Sequence, residues 1–258
     1  MKVNVFTLFL IFIFKTSAFA QQEKPPSQTY LGLGIGVSLD RLNDTNLSPL
    51  NQQGTALFYR ILYERHSRNI LKFDIKYGDG ILKSGRKNRL ETSYYKGSIG
   101  ATYLKNLSTN NSTTNVYIGG TYKLDILYMD WYDQDAFSYI STHGLSLDAS
   151  ISQKLTTNQL VQSTISVPVA QYLSRPPYNG IDEYIKENQD DPINIIFNGR
   201  LTSLKAYKSI NWNINYNYQP SNHLNLRLDY DLNIQKAKTI SEFKSLSNRI
   251  STSILYKF

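Results

Sequence analysis

Apolar and polar residues alternate with a period of two through almost the whole chain, in one run of about ten residues after another. This constrains the fold more than any other feature, because successive side chains of a strand point to opposite faces. In the first run Leu31, Leu33, Ile35, Val37 and Leu39 oppose Gly32, Gly34, Gly36, Ser38 and Asp40. Leu57, Tyr59, Ile61 and Tyr63 then oppose Phe58, Arg60, Leu62 and Glu64, and Leu71, Phe73, Ile75 and Tyr77 oppose Lys72, Asp74 and Lys76. The pattern returns around Tyr95 to Tyr103, Val116 to Tyr128, Leu145 to Ile151 and Val161 to Val169. Later, Ile210, Trp212, Ile214, Tyr216 and Tyr218 oppose four asparagines, and Leu224 to Ile234 oppose a face carrying Arg227, Asp229 and Asp231.

A soluble β-sandwich or lipocalin-like barrel would also alternate, with the apolar face inward. Run length and aromatic placement favour the opposite sense. A strand crossing a bilayer at a tilt needs about 9–11 residues, and tyrosine and tryptophan recur near the run ends like an interfacial girdle. After residue 20 no apolar stretch is long enough for a helical span, which leaves a closed barrel as the way to satisfy every backbone group in lipid. The absence of cysteine and the negative mean hydropathy agree with residues that alternate rather than cluster. The formal charge of +8 raises nucleic acid as a partner, but the lysines and arginines are scattered without a dense run, so no nucleic-acid partner is expected.

Both ends of the chain carry address-like features. Lys2 precedes the apolar run Val5 to Phe14, followed by Ala18-Phe19-Ala20, the composition of a signal peptide over residues 1–20. A polar stub, 21–28, would follow, and then a barrel over 29–258. At the other end, Ile250-Ser251-Thr252-Ser253-Ile254-Leu255-Tyr256-Lys257-Phe258 alternates to its last residue. Its outward Ile254, Tyr256 and Phe258 resemble the insertion signal of bacterial outer-membrane β-barrels. The architecture implied resembles that of small OmpA/OmpX-like barrels: all-β, a transmembrane antiparallel up-and-down barrel of about ten strands, with twelve or eight as alternatives. The resemblance implies export to the outer membrane of a Gram-negative bacterium, contact with outer-membrane lipid and lipopolysaccharide, and handling by the barrel-assembly machinery.

Short links are expected near Arg65 to Asn69, Thr156 to Gln159 and Gln219 to Asn222, with a longer polar one at Asn106 to Thr114. Longer outer loops are expected at Arg41 to Gly54, Gly78 to Glu91, Trp131 to Ser138, Ser174 to about Thr202 and Lys236 to Asn248. Ile193, Ile195 and Phe197 alternate, and are expected to form an extended outer part of the eighth strand plus a loop. The loop 174–202 is long enough to suit a surface partner.

The polar face, turned inward, would carry Arg60, Glu64, Lys72, Asp74, Lys76, Lys96, Lys123, Asp125, Asp148, Arg227, Asp229, Asp231 and Arg249. Barrel diameter grows with strand number, so ten strands leave room for a salt-bridged filling or a narrow polar conduit. Glycines 32, 34 and 36 are expected to make room for long basic side chains. The functional expectation is a structural or surface-interaction role, or passage of small solutes. The alternative is a hydrolase acting on lipid or peptide at the outer rim, with Ser141 and His143 on the face of Leu145 as candidate catalytic residues. Omptin-like proteases pair an Asp-x-Asp with an Asp-x-His. Asp133-Gln134-Asp135 resembles the first half, and no Asp-x-His occurs in the sequence. Asp130, Asp133 and Asp135 are weak calcium candidates, although their spacing is not that of an EF-hand. No other metal and no cofactor is suggested.

Overall fold

The computed structural model describes residues 27–85, 91–108, 113–131, 136–176, 187–188, 190–202, 206–239 and 241–258. The strands are β1 (Gln28–Asp44), β2 (Gln52–His66), β3 (Ile70–Ser84), β4 (Glu91–Asn106), β5 (Thr114–Trp131), β6 (Ala136–Thr156), β7 (Gln159–Ser174), the short β8 (Arg200–Thr202), β9 (Tyr207–Tyr218), β10 (Leu224–Lys238) and β11 (Glu242–Lys257). Among the described residues a short helix, α1 (Pro192–Phe197), precedes β8. Ten strands close into an antiparallel ring: each pairs with its neighbour in sequence, β7 pairs with β9, and β11 returns to β1. Closure leaves no free edge in the ring, so each of its ten strands has backbone partners on both sides, while the short β8 pairs with β7.

The expected orientation of the alternation is seen directly. Leu33, Val37, Ile61, Ile99, Leu147, Leu228 and Ile254 are exposed on the outside, while Arg60, Glu64, Asp229 and Arg227 are buried within. This is the inside-out distribution of a barrel whose wall meets hydrocarbon. No described helix is long and apolar enough to cross a membrane.

Both termini of the ring and the tight turns lie at one end, called here the terminal end; the other is the far end. Two differences from the sequence expectation and one agreement concern the far end. First, much of the expected loops 41–54, 78–91 and 236–248 is strand. β10 and β11 pair as far as Lys238↔Glu242, and β2 and β3 as far as Gln52↔Ser84. Most outward residues there are polar, as in Arg41, Gln53 and Lys83, with Ile81 and Leu246 the apolar exceptions, so the alternation fades while the hydrogen-bonded ladder continues. Second, Ile193, Ile195 and Phe197 belong to a helix rather than an extended segment. Asp191 caps it by accepting from the Asn194 backbone N–H at 3.3 Å. Residues 193 and 197 are also one helical turn apart, and so short a run fits either period. Third, β8 does extend the β9 seam: Gln159–Ser166 of β7 pair with β9, and Gln171–Leu173 pair with β8.

A bulge alters β7 itself. Ser146 pairs with Pro168 and Leu145 with Ala170, leaving Val169 without a partner. Proline has no N–H to give a ladder and is tolerated at such a site. The extra residue switches the face: Ile165 and Val167 point outward before it, whereas Gln171 and Leu173 are buried after it.

Candidate functional site

The interior is built from the inward face of each strand and divides into tiers. Nearest the terminal end, Arg227 of β10 reaches across the lumen to Glu64 of β2. Its two terminal nitrogens donate to the two carboxylate oxygens at 2.7 Å each, and its Nε donates to Asn217 at 2.7 Å. Glu64 also meets His66 at 2.9 Å and Lys72 at 3.8 Å. In the next tier Arg60 donates from Nε and Nη2 to Asp74, at 3.0 and 2.8 Å, and from Nη1 to Asp229 at 2.9 Å. Lys76 lies 3.3 Å from Asp74 and 3.8 Å from Asp231, and Asn213 donates to Asp231 at 2.9 Å. The paired fork geometry holds arginine and carboxylate in fixed planes, which suits a desolvated site.

Higher still, Lys96 is ion-paired with Asp40, which also accepts from Tyr94 at 2.6 Å and Ser38 at 2.7 Å. Lys123 and Asp125 pair along β5 at 2.8 Å. Arg249 stacks over Phe58 with its guanidinium carbon 4.7 Å from the ring centre. On the opposite wall Asp148 accepts from Thr121 at 2.5 Å and from Ser166. Between the charged tiers and this hydroxyl-lined wall lies a cavity of about 150 Å³, and beside it one of about 80 Å³. The larger has room for several waters.

Buried apolar side chains stand toward both ends of the interior, in a large cluster at the far end and a small one at the terminal end. At the far end Leu42, Ala56, Leu82, Tyr94, Leu127, Met129, Ile140, Leu173, Tyr207 and Phe243 turn inward and form one buried apolar cluster. Above it the chain leaving β7 crosses to the opposite side of the mouth. Arg175 donates to Asp44 at 2.5 Å and to the Ser241 carbonyl at 3.1 Å, and lies over the Phe243 ring at 5.5 Å. Ser138 donates to the same Asp44 at 2.7 Å, and Asn46 donates to the Pro176 carbonyl at 2.6 Å. Burial pushes the Arg175 guanidinium below its ordinary value, and the Asp44 carboxylate opposes that shift. At the terminal end Tyr30, Leu62 and Leu255 form a second buried cluster.

All thirteen lumen charges named from the sequence lie on the inward faces, and the structure adds partners not singled out there: Asp40 for Lys96, His66 for Glu64 and Asp44 for Arg175. Parity alone places Asp40 inside. The glycines serve another purpose than expected. A Cβ at Gly36 would stand 2.7 Å from the Phe58 ring, at Gly32 2.8 Å from Leu255, and at Gly34 2.3 Å from Ser253. The space beside them is filled by an aromatic, a leucine and a serine, not by long basic chains.

Ser141 and His143 stand two residues apart on the outer face of β6, beneath α1. Phe197 of the helix and Tyr172 of β7 approach the His143 ring at 4.8 and 4.9 Å, and Tyr122 Oη lies 3.1 Å from His143 Nδ1. Among the described residues neither Ser141 Oγ nor His143 Nε2 has a hydrogen-bond partner, so the two are not coupled as nucleophile and base. Asp130 lies near the far end of β5, while Asp133 and Asp135 fall outside the described residues, as do residues 1–20. Ile254, Tyr256 and Phe258 line the outer face of the last strand, with the Tyr256 and Phe258 rings 5.2 Å apart.

No family model and no curated protein matches the sequence. Solved structures do. The outer membrane protease OmpT from Escherichia coli matches with a TM-score of 0.51 at 6% identity, over 94% of this chain and 99% of that one. Neisserial surface protein A matches with a TM-score of 0.38 at 14% identity, over 89% of this chain and 97% of that one. At such identities the likeness is one of fold: a small outer-membrane-type β-barrel.

Proposed function

We propose that this chain is an outer-membrane barrel with a closed lumen, whose role is structural or surface-interacting rather than conductive. The carrying observation is that buried ion pairs fill the lumen and an apolar cluster under the Arg175–Asp44 pair covers them at the far end. Small barrels are filled by side chains, and a solute would have to displace buried ion pairs as well as an apolar layer. Residues 1–20 direct export, and the far end with its long excursion 174–202 faces outward, since such barrels keep their short turns on the periplasmic side.

The protease and lipase readings receive no comparable support. The sequence lacks an Asp-x-His, and Ser141 is not hydrogen-bonded to His143. Proteoliposomes carrying the refolded barrel test the proposal by osmotic swelling in small sugars and amino acids. They are expected to swell no faster than empty vesicles; solute-size-dependent swelling would overturn it. Fractionation of the native host, with N-terminal sequencing of a heat-modifiable band, tests the export reading. The band is expected in the outer membrane without residues 1–20.

A further inference from the structure

Registry across β9, β10 and β11 sets three lysines side by side on the outer face. Lys236 is directly opposite Lys208 on one side and Lys244 on the other. Like charges at directly opposed positions, with Cβ atoms about 4.5–5.5 Å apart, destabilise a sheet. Glu242 offsets part of this, at 2.9 Å from Lys236 and 2.8 Å from Lys244. Among the described residues Lys208 has no carboxylate within ion-pair reach. One step along the same strands, toward the middle of the barrel, Ile210, Ile234 and Leu246 stand in the corresponding row, with Arg41 of β1 opposite Leu246. Arg41, Ile234, Lys236, Lys244 and Leu246 line one open groove. Cations thus lie immediately above side chains belonging to the lipid-facing wall, on the outer side.

We propose that this groove, together with Lys208 and Ile210 of β9 beside it, binds a phosphorylated lipid of the outer leaflet. Its phosphate sits on Lys208, Lys236 and Lys244, and its first acyl chain runs along Ile210, Ile234 and Leu246. The site rests on the membrane setting proposed above. A dianionic phosphate relieves the repulsion within the row, which explains why three lysines tolerate one another there. Because these side chains are half-exposed, the attraction weakens at high salt.

Native mass spectrometry of the refolded barrel in neutral detergent provides the test, with phosphatidic acid and the diacylglycerol of matching chains as probes. Wild type is expected to retain phosphatidic acid selectively. The Lys208→Gln/Lys236→Gln/Lys244→Gln variant should bind it roughly a hundredfold more weakly, on about a fivefold loss per lysine. A Lys105→Gln/Lys154→Gln control at the terminal end should bind as wild type. In lipid-free detergent the triple variant should resist heat at least as well as wild type, and phosphatidic acid should raise the melting temperature of wild type alone. Equal retention of both lipids by wild type, or undiminished binding by the triple variant, would overturn the proposal. A barrel that fails the heat-dependent gel shift sinks the membrane setting itself. One that conducts yet still selects phosphatidic acid sinks only the closed-lumen reading.

Discussion

Truncating Arg227 isolates the energetics of the filled lumen. Arg227 and Glu64 are almost fully buried, with side-chain exposures of 3% and 4%, and are joined by two 2.7 Å hydrogen bonds. Removing one partner of such a pair costs about 3–5 kcal/mol, because the other charge stays desolvated without its counter-ion. Here the low end applies, since Glu64 keeps His66 at 2.9 Å and Lys72 at 3.8 Å. Arg227→Met should therefore lower stability by about 3 kcal/mol, whereas Arg227→Met/Glu64→Leu should recover most of that loss by removing both charges. Urea titration of the vesicle-embedded barrel reads both values through tryptophan fluorescence, with Trp212 on the lipid-facing side of β9 as reporter. The reasoning is refuted if the single variant costs under about 1 kcal/mol, or if the double variant costs the sum of the two singles.

Other perturbations test other parts of the structure. Phe243, fully buried in the far-end cluster, should cost about 3–5 kcal/mol when changed to alanine, read from the same urea midpoint. Gly36→Val should destabilise the barrel, because its side chain meets the Ile250 carbonyl as well as the Phe58 ring; loss of the folded gel band at a lower temperature would register it. Ser141→Ala should leave stability unchanged or raise it by up to about 1 kcal/mol, since the hydroxyl it removes is buried and unpartnered. A drop of similar size would point to a hydrogen bond this structure does not contain. Arg175→Met should speed limited proteolysis of the 174–202 excursion, since its ties to Asp44 and Ser241 anchor the start of that segment.

The barrel itself was legible because each strand repeats the same message, so an error in one leaves nine others to set the parity. The lumen charges were legible for the same reason: once Leu33 and Ile61 face out, Arg60 and Glu64 must face in. The far end was harder to read. Past Leu39 and Tyr77 the outward residues turn mostly polar, and an outward lysine beside an inward leucine looks like a loop. Yet continued parity from Phe58 through Ala56, and from Lys96 through Tyr94, already places those apolar residues inside; the closed mouth was present in the sequence as apolar residues on the polar face. The switch in β7 was hidden because a bulge leaves no periodic trace beyond Pro168. The Arg175–Asp44 pair, 131 positions apart, depends on the path of a segment whose local sequence carries no information about its partner.

The most direct measurement is single-channel recording of the refolded, gel-shift-verified barrel in a planar bilayer. With the lumen filled by the Arg227–Glu64 and Arg60–Asp74–Asp229 pairs and covered at the far end by the Phe243 cluster beneath Arg175, wild type is predicted to stay electrically silent at voltages that leave the bilayer intact. Reproducible, ion-selective open steps from wild type would contradict the account, for they would require a continuous aqueous path through residues that here pack against one another.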